Sequence, residues 1–343
     1  MKLSKNARPR GFSLVELLVA MGILSVLMLM LTILLDQVQK SWTYAENRIG
    51  QFREARVAFD LLTKNVSQAS LNTYWDLLDE NDDGLVDGYF KTSELHFITM
   101  NASELDRGAT QQPVGHAVFF QAPLGFSTDY RNLNNLFNGR GYFAAFGGDA
   151  KFKPSFVKSP ERYRFRMMEF RPPAESNQVF ADGKEERDNE ARQEFTEWFK
   201  QTGSVGEGDF ESHLNPLAEN IITLVVSPRD SVDSIGRSRR ETYSDIAPNY
   251  DFDSNDAEPD FETFGQQVPP LLRITMIAID ETSAVRLEDG RTQPEVLPPG
   301  VFDDTRNFEK DLDEIATYMN DKNINYKVFS SIVMLRSSKW GGS

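Results

Sequence analysis

The chain has no cysteine and only three histidines in 343 residues. No thiol nucleophile, thiolate metal site or disulfide framework is available, and an oxidising compartment is not contradicted. His96, His116 and His213 are widely separated, and the first two sit in apolar, strand-like stretches. Structural or surface roles are expected of all three rather than catalysis. The sequence also lacks G-x-S-x-G, H-E-x-x-H, Walker and G-x-G-x-x-G patterns. Its nearest approach to a phosphate loop, residues 203–208 (GSVGEG), follows a helical rather than a strand-like stretch. Basic charge is short as well: 37 Lys and Arg stand against 52 Asp and Glu, net −15. Such a balance disfavours nucleic acid, whose phosphates need a basic patch. Paired carboxylates abound, but with this many acids coincidence explains them better than glycosidase chemistry. The chain is expected not to be an enzyme.

What the sequence does have is concentrated at its start. Residues 12–35 form a 24-residue apolar run in which Glu16 is the only charge. As a helix this run is roughly 36 Å long, enough to cross a bilayer's hydrocarbon core with some tilt. Lys2, Lys5, Arg8 and Arg10 precede it without an acid among them. The positive-inside bias therefore puts the N-terminus in the cytoplasm and the rest outside. The run is too long for a signal-peptide core, and no A-x-A site follows it. A plain signal anchor would not need Glu16, because a carboxylate in an apolar span is costly and usually has a partner.

Beyond Asp36 the apolar residues Ile49, Phe52, Phe59, Leu62, Val66 and Ala69 recur at helical spacing, with charges between them. This predicts an amphipathic continuation, residues 36–70, with one face on a core. The head, residues 71–340, then reads as strands at 94–100, 114–121, 162–170, 220–227, 271–279 and 326–335. Pro269-Pro270 marks the entrance of the fifth. A helix is expected at 307–320. Residues 184–200 read as a charged helix and 230–267 as a long, partly mobile loop, so insertions are placed near 177–215 and 230–267. The expected fold is α+β: a long N-terminal helix packed on an antiparallel sheet.

One stretch has ligand-like spacing. Residues 79–87 (DENDDGLVD) follow D-x-N-x-D-G-x-x-D, the opening of an EF-hand loop. Asp79, Asn81 and Asp83 would give side-chain oxygens, Leu85 its carbonyl, and Asp87 a ligand directly or through water. The twelfth position is Phe90 instead of the usual glutamate, and an acidic solvated turn is the bland alternative. Calcium is the expected cofactor if there is one. The acidic stretch 251–262 lacks the glycine turn and reads as loop.

The junction RGFSLVELLVA, residues 10–20, resembles the cleavage site of type IV prepilins and type II secretion pseudopilins. The resemblance implies a cleaved leader, residues 1–11, removed after Gly11 by prepilin peptidase, an aspartic enzyme that also methylates the new Phe12 amine. It implies that Glu16 pairs with the amino terminus of a neighbouring subunit during assembly. Without the leader the chain has 33 basic and 52 acidic residues. The closing segments LAENIITLVVSP, VPPLLRITMIAID and YKVFSSIVMLRSSKW resemble the end of J-type minor pseudopilins. Together with ARVAFDLLTKNVSQAS, the closest likeness is to the prepilin-like cassette protein C group of Verrucomicrobia. The resemblance covers residues 8–70 and 217–340; the middle, about 100–215, is longer than in a usual J-type head. It implies a minor pseudopilin in the inner membrane with a periplasmic head, at or near the tip of a hetero-oligomeric filament of pseudopilins or pilins. The alternative is a minor pilin or adhesin of a surface type IV pilus.

Overall fold

The computed structural model describes residues 13–79, 84–105, 111–131, 135–154, 156–176, 198–199, 213–230, 246–255, 265–287 and 292–338. The chain divides into two compact units, Met1–Gly50 and Gln51–Ser343. Helix α1 (Leu14–Val66) runs through both.

In the second unit, α1 is amphipathic in the manner expected. Ala55, Ala58, Phe59, Leu62 and Val66 are buried in the main core, while Arg53, Arg56, Val57, Asp60 and Lys64 are exposed. A polar relay also ties this end of the helix to the head. Asn65 Nδ2 donates to the Tyr142 hydroxyl (2.7 Å), which donates to Glu169 Oε1 (2.9 Å). The relay satisfies the polar groups that a purely apolar helix–sheet contact would leave stranded.

Among the described residues three antiparallel sheets follow, where a single sheet is expected from sequence. The hairpin β1 (Tyr74–Leu78) and β2 (Gly88–Thr92) forms a two-stranded sheet. The largest sheet has the order β7-β6-β5-β4-β3-β9. Its strands are β3 (Ile98–Asn101), β4 (Gln111–Pro123), β5 (Phe137–Gly148), β6 (Tyr163–Phe170), β7 (Leu214–Glu219) and β9 (Phe252–Asp253). The third sheet has the order β11-β10-β8, built from β8 (Ile221–Arg229), β10 (Leu271–Ile279) and β11 (Tyr326–Met334). Among the described residues the head also holds the helices α2 (Glu281–Leu287) and α3 (Phe308–Asp321). Mixed α+β with antiparallel sheets is thus observed.

The two larger sheets meet at a bulge in β4 between Val114 and Ala117. Gly115 there has φ +69, and a Cβ on it would lie 2.6 Å from the Leu224 carbonyl oxygen in β8. Only glycine allows that backbone conformation and that approach together. A second core cluster joins Phe146, Phe165, Ile222, Val225 and Ile277 of the sheets to Phe308, Ile315 and Met319 of α3.

Three local expectations change. The strand expected at 94–100 starts only at Ile98, because Asn72 Oδ1 accepts from the Glu94 and Leu95 amides and holds them in a bend. Of the loop expected at 230–267, residues 246–255 are described and packed: Ala247 and Tyr250 are buried and β9 pairs with β3. Most of the helix expected at 184–200 lies outside the described residues, but Trp198 and Phe199 within it are core residues. Phe199 stacks on Phe119 with ring centroids 4.5 Å apart.

Candidate functional site: the N-terminal junction and anchor

The description begins at Ser13, so Gly11 and Phe12 lie outside the described residues. From Ser13 the start of α1 is set by its own side chains. Ser13 Oγ accepts from the Val15 amide (3.3 Å), and Glu16 Oε2 accepts from the Ser13 amide (2.9 Å). This reciprocal pair is a capping box, satisfying amides that a helix start leaves without partners. The carboxylate also lies at the positive end of the helix dipole. Glu16, an anomaly in the sequence, therefore has a partner within its own chain. The signal for it, Ser13-x-x-Glu16, was there to be read as a cap.

Leu14–Trp42 is long and apolar enough to cross a membrane. At 1.5 Å per residue it reaches about 44 Å. Its hydroxyls are satisfied locally: Ser25 Oγ donates to the Met21 carbonyl and Thr32 Oγ1 to the Met28 carbonyl, each at 2.8 Å. Such i to i−4 bonds are what an apolar surround demands of a hydroxyl. The first charges after Glu16 come near the far end, where Lys40 Nζ pairs with Asp36 Oδ2 at 2.7 Å. The segment fits a single-pass anchor.

Residues 6–32 match the prokaryotic N-terminal methylation motif. The match takes in Gly11, Phe12 and Glu16 and most of the apolar run, and supports a type IV pilin-like protein processed by prepilin peptidase. No curated protein and no solved structure matches the chain. The head thus stands on its own geometry.

Within the head, Asp79, Leu85 and Asp87 of the acidic turn are exposed, and Asn81 and Asp83 lie outside the described residues. Asp79 Oδ2 accepts from the Gly84 amide (2.7 Å), and Gly84 adopts φ +78, as a tight acidic turn requires. Among the described residues no three His, Cys, Asp or Glu side chains are grouped to hold a metal.

The histidines take structural positions. His116 Nε2 lies 3.1 Å from the Phe302 carbonyl, so it carries the proton and donates, while Nδ1 accepts from the Val226 amide (3.3 Å). Burial pushes its pKa down to about 4. His96 is buried with Nδ1 accepting from the Trp198 indole (3.3 Å) and Nε2 on Asp253 Oδ1 (2.6 Å). The indole occupies the ring nitrogen that a catalytic histidine would need to take a proton.

Proposed function

We propose that the chain is a minor pseudopilin, a non-catalytic subunit at or near the tip of a type II secretion-like filament. It would be held in the inner membrane by α1, with its N-terminus cytoplasmic and its head periplasmic. The observation that carries the reading is the prepilin-type motif over residues 6–32 on a helix long enough to span a membrane. The finer assignment, J-type and nearest the Verrucomicrobia cassette protein C group, rests on the closing segments. Its support is that the three of them pair with one another as β8, β10 and β11. A head of this size suits a tip position, since a large domain on every subunit would crowd a helical lattice.

In this reading prepilin peptidase cuts after Gly11 and methylates the Phe12 amine. The capping box gives Glu16 a holding partner before assembly. A neighbouring subunit's Phe12 amine then offers a full positive charge in place of a neutral amide, a stronger partner where water is excluded. Other pseudopilins complete the filament. Calcium belongs to the same reading: Asp79, Asn81, Asp83, the Leu85 carbonyl and Asp87 would hold it, and calorimetric titration of the chain with calcium should give heat with one-site stoichiometry.

N-terminal mass spectrometry of the native protein is the primary test. A chain beginning at methylated Phe12 is expected, and an intact leader would overturn the reading. Surface labelling of intact cells separates the two filament types. A pseudopilin is protected by the outer membrane, whereas labelling would move the chain to a surface pilus.

A further inference from the structure

Strand β11 forms an edge of the three-stranded sheet, with β10 on one side of it only. The direction of its backbone groups follows from the bonds at its two ends. Asp280 donates to the Asn325 carbonyl (2.9 Å) and Leu335 to the Pro270 carbonyl (3.0 Å), and the register between these ends runs without a bulge. In an antiparallel pair the N–H and C=O of successive residues point to alternate sides. Residues 327, 329, 331 and 333 therefore bond to β10, while Val328, Ser330, Ile332 and Met334 aim theirs at the open side. Among the described residues no backbone hydrogen bond takes up these outward groups.

Natural sheets protect such edges with proline, charge, bulges, cover or short length. Among the described residues the other edges of the head are protected in these ways. On β8, Pro228 has no N–H to offer, the Val226 amide goes to His116 Nδ1 (3.3 Å), and every residue is buried. Strand β7 carries Pro216 and a register shift, and β9 is two residues long. The hairpin strands have five residues each and carry Asp76 and Lys91. Strand β11 has nine residues, and its stretch Val328–Met334 (VFSSIVM) has no proline, charge or bulge. Ile332 and Met334 are 55% and 68% exposed along the open edge, although Val333 between them belongs to the core.

We propose that β11 is an acceptor for an extended segment of a different protein, which adds to this sheet as a fourth strand. A row of backbone donors and acceptors at strand spacing is matched by another extended backbone. The segment is uncharged, with apolar side chains at alternate positions to cover Ile332 and Met334. A second copy of this chain does not fit. Strand β11 runs beside the head portion of α1 in the same direction: Lys327 Nζ lies 5.8 Å from the Phe52 ring centroid, the Phe329 and Phe59 centroids are 5.9 Å apart, and Ser337 donates to the Ala69 carbonyl. Two copies paired antiparallel would run these helical segments in opposite directions, whereas copies anchored through Leu14–Trp42 in one membrane send α1 the same way. One edge takes one strand, so the contact does not propagate from copy to copy. The inference rests on the sheet and the anchor and holds whether or not the chain is a pseudopilin.

The test is photo-cross-linking of the full-length chain in its own cells. The photoreactive residue p-benzoylphenylalanine replaces Ser330, Ile332 and Met334 in turn, and the joined residues are mapped by mass spectrometry. One partner protein is expected, joined within a single segment at positions that shift by about two residues from each site to the next. Ile332→Pro removes only an outward N–H, so the urea midpoint should hold while the cross-link from position 334 falls about tenfold. Ile332→Val keeps that N–H and should leave the cross-link unchanged, whereas Ser331→Pro takes a donor from β10 and should lower the midpoint. No cross-link, joined positions scattered over the partner, or a cross-link to a second copy of this chain would overturn the proposal. So would an Ile332→Pro chain that still cross-links in full, since the contact would not use the backbone, or one that loses stability as Ser331→Pro does, since its N–H would then face β10.

Discussion

Acidification should weaken the head through His116. The imidazole is 4% exposed, lies against Tyr250 (ring centroids 4.6 Å apart), and uses both nitrogens to join β4 to β8 and to the Phe302 carbonyl. Burial holds its pKa at about 4 against 6.5 in the unfolded chain. The unfolded state therefore takes the proton first. Stability is full above pH 6.5, drains as pH falls from 6.5 towards 4, and levels off below. At about 1.36 kcal/mol per unit, the loss is roughly 2 kcal/mol by about pH 5 and roughly 3 kcal/mol by about pH 4. The assay is urea unfolding of the detergent-solubilised chain by circular dichroism at several pH values. Carboxylates titrate in the same range, so the comparison is with His116→Asn, whose amide keeps one donor and one acceptor but does not titrate. Between about pH 7.5 and 5 the parent should lose roughly 2 kcal/mol more than the variant. Equal losses, or a folded-state ring-proton titration near 6.5, would refute the assignment.

Gly11→Ala, or a larger residue there, should leave the leader uncut on an immunoblot. Glu16→Val should insert and be cut but assemble poorly, and Glu16→Gln, which can still accept from the Ser13 amide, should assemble poorly too; filament pull-down reads both. Gly141→Val places a Cβ about where the Phe119 ring stands, 2.2 Å from Cδ1, so a lower urea midpoint is expected, with a cost of about 1–3 kcal/mol. The half-exposed Glu281 carboxylate takes Arg162 Nη2 (2.9 Å), the buried Arg164 Nη1 and Asn220 Nδ2 (3.0 Å). Glu281→Gln should cost about 1 kcal/mol in the same urea assay, because the carboxylate is more than a third exposed and Arg164 keeps Glu219 at 3.6 Å; Arg164→Met should cost no more, since both carboxylates it leaves are partly solvated.

The closing strands were legible because their sequences answer one dominant question. Residues 220–227, 271–279 and 326–335 are rich in β-branched and aliphatic side chains, and the structure gives Ile221–Arg229, Leu271–Ile279 and Tyr326–Met334. Strand β5, FNGRGYFAAFGG, was not legible: four glycines in twelve residues weaken the strand signal. Those glycines answer to other parts of the chain. A Cβ at Gly139 would lie 2.6 Å from the Trp198 ring, and Gly141 lies against Phe119. Local propensity cannot report a demand made by rings 22 and 59 positions away. The same rings explain why the charged segment 184–200 contributes Trp198 and Phe199 to the core. The hairpin β1–β2 was hidden for the opposite reason, since little of it is buried and it carries no core pattern to read.

Glu16 ties these strands of reasoning to function. A carboxylate in an apolar run implies a partner, and the resemblance to prepilins sends that partner outside the chain. The capping box supplies one inside it, so burial cost no longer requires an intersubunit contact. What survives is the difference between partners: the Ser13 amide at the chain's own helix start, against a cationic amine on a neighbour. Glutamine equals glutamate for the first and fails for the second, because it carries no charge. An assembly defect confined to Glu16→Val would therefore assign the residue to starting the helix. A defect shared by Glu16→Gln would assign it to the neighbour's amine. In the proposed reading the second outcome is expected, since a methylated amine stays a cation and so keeps the charge that Glu16 would read.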